Sequence, residues 1–97
     1  MDLSLACALR LRYPPAMDYR ALYVDLVGRY HWPAEGDSRR EAAWEDVRLL
    51  LLERIRLELQ VDLARAHELG ERLVARVGAD WSRPGRVDEV ARLLEEI

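Results

Sequence analysis

The chain contains no lysine, asparagine, threonine or phenylalanine, and only one cysteine. With lysine missing, all fifteen basic residues are arginine. A GC-rich coding genome, bacterial or phage, explains that bias most simply, although scarce Asn, Gln, Cys and Met would also suit a thermophile. The lone Cys7 excludes an intramolecular disulfide and a four-cysteine zinc site. In its apolar surroundings it reads as a small buried hydrophobe and not as a reactive thiol. Positive charge is not in excess either. The net charge is -3 and the pI about 5.4, so no overall field draws the chain to nucleic acid or to an anionic membrane. No run approaches the ~20 apolar residues of a membrane span. The apolar start, MDLSLACAL, has Asp2 where a signal peptide carries basic residues, and Arg10 and Arg12 interrupt it before a cleavage site. A cytoplasmic protein with no membrane partner is the expectation.

What is present is ordinary globular material. At 97 residues, 51% apolar and 34% charged, the chain suits a single domain, 1–97, with a hydrophobic core. Three Trp and four Tyr mean that every large aromatic side chain carries a polar tip, which sits well at a core edge or in an interface.

Two stretches alternate with the period of a half-buried strand. LSLACALRLRY, residues 3–13, sets Leu3, Leu5, Cys7, Leu9, Leu11 and Tyr13 on one side. RIRLELQVDL, residues 54–63, does the same with Ile55, Leu57, Leu59, Val61 and Leu63. In the second stretch propensity opposes pattern, because Arg, Leu, Glu and Gln are strong helix formers. Length arbitrates. A helix from 39 to 77 would run nearly ~60 Å at ~1.5 Å per residue, whereas a compact domain of this size is ~35 Å across. A break near Glu53 leaves elements of ordinary length. The expected fold is therefore α+β and helix-dominated, with strands at about 3–12 and 54–62 and helices at about 15–31, 39–52, 64–77 and 85–97. Across such a strand pair Arg10 and Arg12 could face Glu58 and Asp62. The alternative is an all-α bundle with a long central helix, 39–69. There the stretch 54–63 would carry apolar side chains on two opposed sides, a pattern that only an interface on both sides calls for, and so favours an oligomer.

Local signals place the rest. Tyr19, Leu22, Tyr23, Leu26, Val27 and Tyr30 recur at helical spacing, and HWPAEGD is the clearest loop. Ser38 with Glu41 has the form of a capping box. Trp44, Val47 and Leu51 form an inner stripe, while Leu49 to Leu52 is apolar all round and so belongs in the core or in an interface. Ala66, Leu69, Leu73 and Val77 share a face that Gly78 caps. After the loop ADWSRPGR come Val87, Val90, Leu93, Leu94 and Ile97.

Three function classes are in play. The favoured one is a small non-catalytic interaction protein, a regulator, inhibitor or assembly subunit that binds a protein partner or its own copy as a homodimer. Its contact candidates are Tyr30, Trp32 and Trp81 in or beside loops, and Arg10 and Arg12, since Trp, Tyr and Arg are enriched at binding hot spots. The second is a DNA-binding regulator. A strand followed by helices resembles the ribbon-helix-helix repressors, but Ala6 and Ala8 stand where base-reading polar groups belong. The third follows from Ala66, His67, Leu69 and a neighbouring glycine, which resemble the alanine-histidine-x-leucine-lysine-glycine signature of histidine phosphotransfer domains. That resemblance implies a phosphoryl acceptor at His67. The lysine is missing and Gly70 stands one place early. His31 and His67 are the only histidines, no glycine-rich phosphate loop or nucleophile elbow is present, and the carboxylates lack the repeated ExxE with ExxD of helical magnesium-dependent hydrolases. Neither a metal, a cofactor nor catalysis is expected.

Overall fold

The computed structural model describes residues 17–96. They form four α-helices: α1 (Tyr19–Arg29), α2 (Arg39–Leu59), α3 (Leu63–Arg76) and α4 (Val87–Glu95), the last entered through a 3-10 turn, Pro84–Arg86. Among the described residues there is no strand, so the α+β expectation is overturned and the fold is all-helical. The strand expected at 3–12 lies outside the described residues. The one expected at 54–62 is instead the last part of α2, followed by the turn into α3.

Core geometry explains why helix wins there. Ala43, Val47, Leu51 and Ile55 recur at one-turn spacing and are all buried, the last three completely. A strand from Arg54 would detach Ile55 from that ridge. The helix nevertheless does not reach 69, as the all-α alternative had it. It ends where Gln60 takes a left-handed conformation, φ 55°. Gln60 N–H then donates to Leu57 C=O and Val61 N–H to Arg56 C=O, the paired bonds that close a helix C-terminus. Asp62 opens α3 at once, its carboxylate accepting from Arg65 N–H at 2.9 Å.

Two further boundaries differ from expectation. α1 begins at Tyr19, later than 15, because the Asp18 carboxylate accepts from Ala21 N–H at 3.1 Å and Met17 and Asp18 are not helical. Ser38 makes no capping bond. Its neighbour Asp37 accepts from Arg39 N–H at 2.9 Å, and Glu41 is engaged with Arg83 instead of closing a capping box. An acidic side chain next to a hydroxyl is the stronger acceptor for a helix N-terminus.

Each helix packs on two others: α1 on α2 and α4, α3 on α2 and α4. The core gathers Tyr19, Leu22 and Tyr23 of α1, the α2 ridge, Leu69 and Leu73 of α3, and Val90, Leu93 and Leu94 of α4. The loop after α3 belongs to this core. Gly78, at φ 134°, turns the chain; its C=O accepts from Trp81 N–H, and Arg86 pairs with both Asp80 and Glu89. Trp81 is thereby carried inward to 1% exposure. Tyr23 anchors the same loop, its hydroxyl donating to the buried Ser82 C=O at 2.8 Å. Tyr19, beside it, has a buried hydroxyl with no partner among the described residues.

Gln60→Gly should stabilise the chain by about 0.5–1 kcal/mol in urea unfolding, because glycine occupies the left-handed region without the side-chain penalty. Tyr19→Phe should be neutral or stabilising, since it removes an unsatisfied hydroxyl, whereas Tyr23→Phe should cost about 1 kcal/mol through the orphaned Ser82 carbonyl. Burial pushes the Tyr23 phenol up to about 12, against a lowering by Arg83, and raises Tyr19 further. Folding therefore favours the neutral phenols. Their contribution is complete below the ordinary value of 10.0 and is lost as pH rises through the folded values. Urea midpoints measured from neutral to strongly alkaline pH should fall only above that ordinary value, and less steeply in Tyr19→Phe.

Candidate interaction surface

The end of α1, the loop behind it and the first turns of α2 meet in an aromatic corner. Trp32 donates its indole N–H to Val27 C=O at 3.0 Å, which swings its ring back over the chain. Its ring meets Tyr30 edge-on at 4.7 Å and Trp44 at 4.6 Å between centroids. Arg40 lies 5.2 Å over Trp32 while donating to Pro33 C=O at 2.8 Å. Arg83 lies 4.8 Å over Trp44 and pairs with Glu41 at 2.7 Å. Tyr30 donates its hydroxyl to Asp46 at 3.2 Å, and partial desolvation followed by that bond raises its pKa. The polar tips of Tyr30 and Trp32 are already engaged. The corner braces α1, α2 and the loop before α4 against one another, and Tyr30 and Trp32 are only half-buried in it. Sequence reasoning singled out Tyr30 and Trp32 but missed Trp44, Arg40 and Arg83, whose meeting depends on how the loops fold back.

The open surface lies farther along α2. Leu49, Leu50 and Leu57 are 58%, 46% and 55% exposed, on the side of the helix away from the buried ridge. Ala42, Asp46 and Glu53 share that side, all exposed. Two hollows flank the strip. One, about 500 Å³, lies between α1 and α2 and is lined by Leu26, Tyr30, His31, Leu50, Glu53 and Arg54 among others. The second, about 400 Å³, lies between α2 and α3, where Leu49, Leu52 and Val74 surround a floor formed by Trp81. Leu49 and Leu50 therefore join the two hollows to Tyr30 at the rim of the aromatic corner.

The remaining candidates are placed as follows. Trp81 is a core residue, 1% exposed, that also lines the second hollow. Arg10 and Arg12 lie outside the described residues. His67 is exposed on α3 and lines the second hollow together with Glu71, one turn on. Gly70 has a packing role: a Cβ there would stand 3.3 Å from Leu52 Cδ2, so glycine lets α3 approach α2 closely. Among the described residues no group of His, Cys, Asp and Glu is placed to hold a metal ion, and no helix is long and apolar enough to cross a membrane.

Stability measurements separate the brace from the open strip. Trp44→Ala should cost about 2 kcal/mol or more, because it removes ring contacts with Trp32 and Arg83 together. Leu57→Ala should change the unfolding free energy by no more than about 0.5 kcal/mol, as expected of a surface position. Comparisons of the chain with protein-family models, with curated proteins and with solved structures each find no match.

Proposed function

We propose that this chain is a small non-catalytic interaction module that engages a protein partner through the open side of α2. The observation that carries the reading is the two-sidedness of that helix. Val47, Leu51 and Ile55 are completely buried, while Leu49, Leu50 and Leu57 are about half exposed on the other side. Single exposed leucines are ordinary on a surface, but the adjacent Leu49 and Leu50 between two hollows, with Leu57 two turns on, support a binding role for this side. Its polar rim of Asp46, Glu53 and Arg54 has the layout of an interface edge.

The arginines give no comparable support to nucleic-acid binding. Of the thirteen described, ten pair with a carboxylate, leaving Arg40, Arg72 and Arg92. Among the described residues most of the positive charge is thus paired within the chain, which lessens its pull on a phosphate backbone.

In a lysate of cells that produce it naturally, the full chain should migrate within an assembly heavier than its own 11.3 kDa. Leu50→Glu should release it to that mass with its helical circular dichroism unchanged. A wild-type chain that migrates at its own mass in that lysate ends the proposal.

A further inference from the structure

The strip on α2 is not only apolar; its flanking charges match themselves under a two-fold rotation. Asp46 stands one turn before Leu50 and Arg54 one turn after it. An antiparallel copy of α2 laid across Leu50 would bring each Asp46 to the Arg54 of its neighbour, giving two equivalent ion pairs on either side of a Leu50–Leu50 contact. Farther out, Leu57 would lie across from the small, exposed side chain of Ala42. In a two-fold interface each such contact is made twice, so a large side chain on one copy needs a small one opposite it on the other.

Both charges are underused within the chain. Asp46 is exposed and accepts only the Tyr30 hydroxyl, at 3.2 Å. Arg54 has a single carboxylate contact among the described residues, Asp25 at 3.9 Å, the longest ion pair in the fold. Glu53, the other acid of the strip, is by contrast already matched by Arg56 of its own helix at 2.6 Å and adds no unpaired charge to the face.

We infer that the partner covering this strip is a second copy of the chain, in an antiparallel α2–α2 homodimer centred on Leu50 and registered by reciprocal Asp46–Arg54 pairs. This rests on the interaction reading above and names its occupant. Charge pairs at an interface edge set register and partner choice more than raw affinity, so reversing one should unregister the dimer.

The test is sedimentation of the purified full chain at up to about 100 μM, where modest helix-pair interfaces associate. The wild type should sediment as a dimer. Asp46→Arg and Arg54→Asp, each checked by circular dichroism, should each weaken dimerisation by about tenfold or more. Mixed in equal amounts, these two variants should associate with each other, since both ion pairs are restored in the mixed dimer, and the doubly reversed chain should dimerise alone. A wild type that is monomeric throughout, reversals without effect, or a mixture that stays monomeric would each overturn the inference. If the purified chain is monomeric but runs in a larger, Leu50-dependent assembly in its native lysate, the dimer falls and the interaction reading stands.

Discussion

The structure depends on one ridge of side chains. Ala43, Val47, Leu51 and Ile55 stand one turn apart on α2 and are buried along its length. At 100° per residue, each step of four drifts about 40° around the axis. The ridge therefore winds part of the way round the helix, which lets one helix serve two neighbours, α1 and α3. Complete burial of an aliphatic side chain is worth about 1.5–3 kcal/mol. Three such residues in register supply an amount comparable to the whole net stability of a small domain. Local preferences that conflict with the ridge, such as the alternation of residues 54–63, are overruled.

Much of the rest is arranged around keeping that ridge covered. α1 is started by Asp18 and its far end is tied down by the Trp32 indole on Val27. α3 can approach because Gly70 leaves room for Leu52. The loop before α4 is turned inward at Gly78 so that Trp81 fills the space over α2 and α3, with Tyr23 bonding the loop from the other side. Surface ion pairs such as Arg20–Asp88 contribute little beside this, because both partners are largely solvated.

The sequence was legible where a helix turns a single run of helically spaced apolar residues to the core. Tyr19, Leu22 and Tyr23, then Leu69 and Leu73, then Val90, Leu93 and Leu94 are all buried as their spacing implies. It was illegible where the outcome depends on a choice between adjacent groups or on a loop. Asp37 and Ser38 can both cap α2, and only the folded backbone selects the former. Trp81 in ADWSRPGR looks like an exposed loop aromatic, and its burial follows from the turn at Gly78 and the Arg86 clamp, neither of which has a periodic signature. Of the surface candidates, Tyr30 and Trp32 were visible as aromatics near a loop, but their engagement with Trp44, Arg40 and Arg83 joins residues far apart in sequence. The open strip was visible as the excess of leucine at 49–52 and, under the all-α alternative, as the second apolar side of 54–63.

Residues 54–59 show how a misleading pattern can still be informative. Two residues along a helix is a rotation of about 200°, so positions i and i+2 lie on nearly opposite sides. Apolar residues at every second position are therefore the mark either of a strand with one buried face or of a helix with apolar residues on two sides. Ile55 and Leu59 turn toward the core and Leu57 turns out beside the strip begun by Leu49 and Leu50. A helix serving only its own core would place polar residues at the outward positions, as α3 does at Arg65, Glu68 and Arg72. The alternation that argues wrongly for a sheet is thus produced by a helix with a second apolar side, and that second side is what a partner would cover.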